Sequence, residues 1–350
     1  MRLVVTGATG NVGTSLLSVL AGDPAVTAIV GVARREPSWQ NPKTTWTPAD
    51  VRTDSLEGIF SGADAVVHLA WAIQPSRELE LMRETNVDGS RRVFEAAARA
   101  GVPTLVHASS LGAYSRGPKD ARVDESWPTD GIPTSFYSRH KVEAERILDR
   151  VEREHPGLRV VRLRPGLIFK RQAASGIRRL FAGPLLPSPL VRAQLIAGVP
   201  SHPRLRVQAV HSLDVADAYR RAVMTPEARG AYNVAADPVL DGVEMGRLLG
   251  ARPLPIHTGL LRAATVASYK LRLHPTPAGW LDLALGVPLL DSTRARVELG
   301  WEPTRSASDA LLELLDGLRD SAGFPTPPLD SGGGGPLRLR ELLTGVGGRP

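Results

Sequence analysis

The feature that most constrains the fold is a glycine-rich turn at the start of the chain. Residues 3–6 are apolar or β-branched, Gly7, Gly10 and Gly13 follow, and the apolar stretch 16–20 comes next. This order predicts a buried strand, a tight turn and the start of a helix. Because a helix N-terminus presents unpaired backbone N–H groups, such a turn is typical of a phosphate-binding site. We expect a dinucleotide site in which Gly7 permits the turn, Gly10 admits a pyrophosphate and Gly13 lets the helix pack closely.

The first half of the chain repeats this alternation of strand and helix. The patterns predict buried strands at 3–6, 28–32, 65–69, 104–108 and 158–163, and helices at 13–21, 78–100 and 135–155. Strands that alternate with helices of this length indicate βαβ units. We therefore predict an α/β fold, a Rossmann-type doubly wound parallel sheet with a smaller C-terminal substrate lobe.

The composition along the chain suggests how it divides into domains. We assign residues 1–170 to the dinucleotide-binding Rossmann domain, with 207–235 contributing to it, and residues 171–206 and 236–322 to the substrate lobe. Residues 323–350 contain four consecutive glycines and are predicted to be a flexible tail.

The composition also excludes several classes of function. The chain has no cysteine, so disulfides and thiol chemistry are absent, and we expect no metal site. The net charge is +7, but the basic residues are scattered rather than arranged in a stripe with aromatic residues, so we expect no nucleic-acid partner. No export signal and no apolar stretch of about 18 residues is evident. We therefore expect a cytoplasmic protein without a membrane partner.

A second pattern points to acid–base chemistry. Tyr137 and Lys141 are four residues apart on a predicted helix and so share one face. An ammonium near a phenol favours the phenolate, so we expect Lys141 to lower the pKa of Tyr137. Ser110 follows a predicted strand at the sheet edge where ligands bind, and its hydroxyl is suited to bond a substrate oxygen. Each pattern alone also occurs on ordinary surface helices and turns.

Taken together, these motifs resemble those of the short-chain dehydrogenase/reductase superfamily, in its extended, epimerase/dehydratase-like branch, over roughly residues 1–320. The stretches that carry the resemblance are 6–13, which includes Asn11 and Val12, then 50–51, 68–70, 86–89, Ser110, Tyr137, Lys141, 164–166 and 210–216.

The resemblance implies a role for each matching residue. Tyr137 would be the general acid/base, Lys141 would also hold the nicotinamide ribose, and Ser110 would bond the substrate oxygen. For the cofactor, the implied contacts are Asp50 and Val51 at the adenine, Leu69 and Ala70 beside the ribose and nicotinamide, and Pro165 next to the nicotinamide. A small-molecule substrate and a possible homodimer are implied as well.

Two departures from the family pattern bear on the substrate. Nucleotide-sugar members usually carry an arginine where this chain has Val207. They also tend to have an asparagine soon after the position of Arg164, and this chain has no asparagine there. We therefore favour an NAD(P)-dependent oxidoreductase that acts on a small or hydrophobic carbonyl or alcohol. A nucleotide-sugar epimerase or dehydratase with retained NAD, and a non-catalytic dinucleotide-binding regulator, remain as alternatives.

The end of the second strand bears on the choice of dinucleotide. NAD-binding forms usually place an acidic residue there to accept from the ribose 2′-hydroxyl, but this chain has Ala33 followed by Arg34 and Arg35. A guanidinium fork matches a 2′-phosphate. We predict NADP, with NAD possible and Arg34 as the main contact, against the alternative that both arginines are solvated strand-end charges.

Overall fold

The computed structural model describes residues 1–74, 77–181 and 196–332. Residues 182–195 of the predicted lobe and residues 333–350 of the predicted tail lie outside the described residues.

The strands of the described chain, in order, are β1 (Arg2–Thr6), β2 (Ala28–Ala33), β3 (Thr44–Pro48), β4 (Ala65–His68), β5 (Thr104–Ala108), β6 (Arg122–Val123), β7 (Arg159–Pro165), β8 (Leu167–Phe169), β9 (Gly198–Ser201), β10 (Ala209–His211), β11 (Gly230–Val234), β12 (Arg252–Pro255) and β13 (Leu289–Leu290). The α-helices are α1 (Asn11–Ala21), α2 (Glu57–Phe60), α3 (Leu79–Arg83), α4 (Gly89–Arg99), α5 (Phe136–Glu154), α6 (Ala174–Phe181), α7 (Ser212–Met224), α8 (Gly242–Leu249), α9 (Thr258–Lys270), α10 (Gly279–Gly286), α11 (Thr293–Leu299) and α12 (Ala307–Arg319). A π-helical turn, Glu84–Asp88, joins α3 to α4, and short 3-10 turns occur at Leu111–Ala113 and Arg171–Ala173.

Seven strands form the central sheet, in the order β11-β7-β5-β4-β1-β2-β3. Every neighbouring pair in it is parallel. The chain moves outward from β1 to β3, returns to β4 beside β1, and then continues in the opposite direction. This reversal creates a switch point between β1 and β4, where ligands bind in open α/β sheets. The predicted Rossmann-type fold is confirmed.

The core explains why both faces of the sheet are covered. Leu3 and Val5 of β1 point to one face, where they pack with α1 and α7. Val4 points to the other face and packs with residues of α4 and α5 such as Phe94 and Leu148. Because side chains alternate along a strand, an apolar run such as that of β1 requires helices on both sides.

The C-terminal half adds small elements beyond the sheet. Strands β9 and β12 form a two-stranded sheet against which α8 packs, and α9 and α10 follow later in the chain. Helix α9 has no buried residue, and Leu260 on it is 74% exposed. No helix among the described residues is long and apolar enough to cross a membrane. The division of the chain into a Rossmann domain and a lobe stays a prediction.

The first residues of the predicted flexible tail are folded against the glycine-rich turn and the segment that follows β2. We call residues Phe324–Leu329 the C-terminal strap. Thr326 and Leu329 are 2% and 3% exposed, and the Phe324 N–H donates to the Leu329 carbonyl at 2.9 Å. The glycine content that suggested a tail belongs to residues further along the chain, 332–335.

Candidate functional site

One cavity of about 880 Å³ opens at the carboxyl ends of the central strands. Most of the residues singled out from the sequence line it together: Gly7, Gly10, Asn11, Val12, Gly13, Arg34, Asp50, Leu69, Ser110, Tyr137, Lys141 and Pro165. Two do not line it. Val51 is buried close to Gly89, and the backbone of Ala70 lies against Gly7.

The glycine-rich turn between β1 and α1 owes its shape to three different constraints. Gly7 has φ of 70°, and a Cβ there would lie 2.5 Å from the Ala70 nitrogen. A Cβ at Gly13 would lie 2.5 Å from the Gly7 carbonyl oxygen. At Gly10 the atom closest to a Cβ would be the Gly7 oxygen, at 3.3 Å, and since Gly10 lines the cavity a larger side chain there would take up cavity space. This cradle, at the N-terminus of α1, fits an anionic group such as a dinucleotide pyrophosphate.

A buried lysine that the sequence analysis missed lies beneath this turn. The Lys170 ammonium donates to the Asn11 carbonyl at 2.7 Å and to the Thr14 hydroxyl at 2.6 Å. Lys170 is 5% exposed, and this burial lowers its pKa to about 8. A cation near a helix N-terminus is ordinarily unfavourable, and an anionic ligand there would offset it. A lone lysine directly after the short strand β8 carried no motif by which the sequence would indicate this position.

Tyr137 stands in the first turn of α5, which Ser135 caps by accepting from the Ser138 N–H. Burial raises the pKa of Tyr137 to about 12, and a hydrogen bond with the Ser110 hydroxyl acts in the opposite direction. Ser110 and Tyr137 therefore lie next to each other in the wall of the cavity.

Lys141 lies one turn further along the same helix, but its ammonium does not bond the phenol. It donates to the Ala108 carbonyl at 2.7 Å and lies 3.3 Å from the centre of the Trp71 ring. Burial holds the pKa of Lys141 well below its usual range. The expectation that Lys141 lowers the pKa of Tyr137 is wrong for this arrangement, because the ammonium faces Trp71 and the end of β5, 5.7 Å from the Tyr137 ring centre.

Glu145 continues the face formed by Tyr137 and Lys141. Its carboxylate accepts from the Arg164 guanidinium at 2.6 Å and 2.9 Å and from the Ser109 hydroxyl. Burial acts to raise the pKa of Glu145, but Arg164 outweighs it and holds that pKa below its usual range. The buried pair ties α5 to the end of β7. It also places a negative charge that acts to raise the pKa of Lys141.

Aromatic and aliphatic side chains form the rest of the cavity near Tyr137. The Trp280 ring centre lies 4.8 Å from that of Tyr137, and the Trp71 ring centre lies at 6.0 Å. Leu283 packs in the same cluster as Tyr137, and Ile73 and Ile177 also line the cavity. We call Ile177, Trp280 and Leu283, which belong to the predicted lobe, the lobe wall. We call Gly7–Gly13, Leu69, Ser110, Tyr137 and Lys141 the sheet wall.

The arginines near Val207 are directed away from the cavity. Arg204 donates to the carbonyls of Leu285 and Gly117, both at 2.9 Å. Arg206 donates to the Lys119 carbonyl at 2.6 Å. Neither arginine lines the cavity. An anionic substrate group would therefore not meet these guanidinium groups there.

Charged groups gather where β2 and β3 end. Arg34 and Arg35 both line the cavity, as does Asp50. A hydrogen bond from Arg52 holds the pKa of Asp50 below its usual range, with a smaller contribution from the charge of Arg34. In the described part of the chain, no group of three or more His, Asp or Glu residues is placed to hold a metal ion.

Comparisons with known proteins agree with this fold. The model of the NAD dependent epimerase/dehydratase family matches residues 3–235. Among curated proteins, the UDP-glucose 4-epimerase of Mycolicibacterium smegmatis is 28% identical, covering 92% of this chain and 100% of that protein. The L-arabinose 1-dehydrogenase (NAD(P)(+)) of Haloferax volcanii is 34% identical over 48% of this chain and 67% of its own length.

An uncharacterized protein of Mycobacterium tuberculosis is 28% identical over 93% of this chain. The chain spans only 31% of that protein's length. Among solved structures, UDP-glucuronic acid 4-epimerase of Bacillus cereus in complex with UDP-glucuronic acid and NAD has a TM-score of 0.65 at 16% identity, over 91% of this chain and 99% of that one. UDP-glucose 4-epimerase of Thermotoga maritima has a TM-score of 0.67 at 20% identity, over 92% and 99%. These structural likenesses show the fold.

Proposed function

The chain belongs to the NAD dependent epimerase/dehydratase family, which is a family of enzymes, and on that premise we propose that it is an NAD(P)-dependent oxidoreductase. Its reaction would transfer hydride to or from a carbon that bears a carbonyl or hydroxyl group. The observation that carries this proposal is that Gly10, Ser110, Tyr137 and Lys141 line the same cavity.

In the proposed reaction, a nicotinamide dinucleotide bound on the glycine-rich turn supplies the hydride transfer, and the chain's own residues position and polarise. Tyr137 would exchange a proton with the substrate oxygen, since its phenol faces the cavity beside the Ser110 hydroxyl. Ser110 would donate a hydrogen bond to the same oxygen. Lys141 would hold ribose hydroxyls near the end of β5, where its ammonium lies.

The lining of the cavity supports a small or hydrophobic substrate. Trp280 and Leu283 supply apolar surface next to the phenol, and Arg204 and Arg206 are engaged by backbone carbonyls elsewhere. A sugar nucleotide carries a diphosphate, which a cationic side chain usually binds by charge-assisted hydrogen bonds. Arg204 and Arg206 do not line the cavity, so they are not placed to bind that diphosphate.

A nucleotide-sugar epimerase with retained NAD is the second candidate. The observation that favours it is the similarity to the Mycolicibacterium smegmatis UDP-glucose 4-epimerase along the whole of that protein. Both candidates use the same Ser110, Tyr137 and Lys141, so the fate of the hydride separates them.

A screen of carbonyls, alcohols and nucleotide sugars, with either dinucleotide in excess, distinguishes the two. We expect absorbance of reduced nicotinamide to change in step with product. An isomerised or dehydrated product without any net change in reduced nicotinamide would favour the epimerase or dehydratase. Tight dinucleotide binding without conversion of any compound would leave a non-catalytic regulator as the better description.

For the cofactor, we propose NADP over NAD. Support comes from Arg34 and Arg35 at the cavity edge, since a 2′-phosphate would meet a guanidinium there. The test is the ratio of kcat/KM for NADP and NAD in the wild type, in Arg34→Ala, and in the control Arg99→Ala on α4. A wild-type preference for NAD, or unchanged selectivity in Arg34→Ala, would contradict the proposal.

A further inference from the structure

The C-terminal strap is a compact loop held in place at both its ends. Two backbone hydrogen bonds close it: the Phe324 N–H donates to the Leu329 carbonyl, and the Leu329 N–H donates to the Thr326 carbonyl at 3.0 Å. The Phe324 ring lies edge-on to Trp39, with ring centres 5.0 Å apart. The Ser38 hydroxyl donates to the Pro325 carbonyl at 3.4 Å. One end of the strap thus rests on the segment that follows β2.

The middle of the strap is bonded to the glycine-rich turn itself. The Thr326 hydroxyl donates to the Thr9 carbonyl at 2.8 Å, and both residues are buried. Thr9 stands between Gly7 and Gly10. A group 317 residues away in the sequence therefore fixes the backbone of the turn that would receive the pyrophosphate.

The far end of the strap faces the cavity. Pro327, Pro328 and Leu329 line the same space as Gly10 and Arg34. The Arg179 guanidinium, on α6, donates to the Pro328 carbonyl at 3.1 Å. The strap thus joins the segment after β2 to α6 across the glycine-rich turn.

We propose that the C-terminal strap is a wall of the dinucleotide site and controls how tightly the dinucleotide is held and how fast it leaves. This inference rests on the proposed function in one respect, since it takes the cavity to be a dinucleotide site. Two prolines and a buried leucine form a stiff apolar surface that loses little conformational freedom when a ligand packs against it. The Thr326 bond holds the turn in the shape that presents its N–H groups, so less ordering is needed on binding.

Two truncations that differ by the strap test this directly. The chain 1–332 keeps the strap, and the chain 1–322 lacks it. We expect 1–332 to bind both dinucleotides as the full chain does, and 1–322 to bind at least about tenfold more weakly, with faster release in stopped-flow measurements. Calorimetric titration gives the affinities. Binding by 1–322 within twofold of 1–332 would overturn the proposal.

Point variants of the full chain keep the test decisive if 1–322 fails to fold. Thr326→Val removes the bond to Thr9 while keeping the side-chain volume, and Asp330→Asn changes an exposed carboxylate next to the strap as a matched control. We expect a several-fold loss of dinucleotide affinity in Thr326→Val alone, measured at a temperature where both variants are fully folded. Equal affinities in the two variants would contradict a role in binding.

Hydrogen exchange supplies a readout that does not depend on turnover. In the full chain, we expect added dinucleotide to slow exchange at the amides of Phe324, Thr326 and Leu329. Unchanged exchange upon saturation would show that the strap only stabilises the fold. Failure of the full chain and of 1–332 to bind either dinucleotide would instead overturn the proposed function, and this inference with it.

Discussion

The sheet wall of the cavity is backed by buried polar contacts, whereas the lobe wall adjoins helix α9, which has no buried residue and is joined to α10 by the exposed Arg262–Asp282 pair. Behind the sheet wall, Lys141 bonds the end of β5, and Glu145 pairs with Arg164 at 5% and 6% side-chain exposure. The residues proposed to act in catalysis therefore lie against buried polar contacts that fix their positions. The residues proposed to contact the substrate lie beside a more exposed helix, where substitutions are expected to cost less stability.

The sharpest test of the sheet wall is Tyr137→Phe. General acid–base catalysis contributes roughly 10²–10⁴-fold, so we expect turnover to fall by that range while dinucleotide affinity stays within about tenfold. Steady-state rates and calorimetric titration measure the two effects. Near-normal turnover would show that Tyr137 takes no part in the reaction, and the sheet wall would then have no catalytic role that sets it apart from the lobe wall.

Gly10→Val addresses the glycine-rich turn. A Cβ at Gly10 would lie 3.3 Å from the Gly7 oxygen, a contact that a small backbone shift relieves, and the rest of the valine would occupy the cavity. We therefore expect dinucleotide affinity to fall at least about a hundredfold in a folded protein. Gly58→Val is the matched control, because nothing lies within 4 Å of a Cβ there. If the folded Gly10→Val protein bound dinucleotide as tightly as the control does, the glycines would serve only to form the turn and not to bind the pyrophosphate.

Glu145→Gln tests the backing of the sheet wall through stability. It leaves the buried Arg164 guanidinium without its counter-charge, and breaking a buried ion pair in this way costs about 3 kcal/mol of unfolding free energy. Glu57→Gln, which breaks the exposed pair with Arg99, should cost less than about 1 kcal/mol. Urea unfolding of both variants measures the difference.

The same variant carries a pH signature. Because the pKa of Glu145 in the folded protein lies below its ordinary value of 4.5, the stability this carboxylate contributes is present above pH 4.5. It is lost as the pH falls through the folded-state pKa. We expect the stability gap between wild type and Glu145→Gln to narrow as the pH falls below 4.5. A gap independent of pH would mean that the carboxylate charge is not what stabilises this region.

Trp280→Leu probes the lobe wall and should have the smallest effects. We expect KM for the substrate found in the screen to change by about tenfold, since Trp280 supplies apolar area beside Tyr137, with dinucleotide affinity unchanged. Leu260→Asn on the exposed face of α9 should alter neither property and should shift stability by less than about 0.5 kcal/mol. A large loss of stability in Leu260→Asn would show that the lobe is packed more tightly than its exposure indicates.

The sequence by itself determined the features that depend on local spacing. Glycines between an apolar run and a periodic stretch, and a tyrosine four residues before a lysine, specify a turn and a helix face wherever they occur. The parallel sheet followed from the alternation of strands and helices, because each element must bury an apolar face. These local rules were enough to bring most of the candidate residues to one cavity.

Only the tertiary structure decided which groups meet across elements. The sequence shows Glu145 and Arg164 as two charges among many, and their pairing depends on how α5 lies against β7. It also leads one to expect an ammonium beside the Tyr137 phenol, whereas the packing of Trp71 directs that ammonium to the end of β5. The strap is the clearest case, because it directly precedes the glycine-rich residues 332–335 and is therefore predicted from the sequence to be part of the flexible tail. Its burial follows from contacts with Thr9 and Trp39 that lie nearly the whole chain away, and such contacts leave no periodic trace in a sequence.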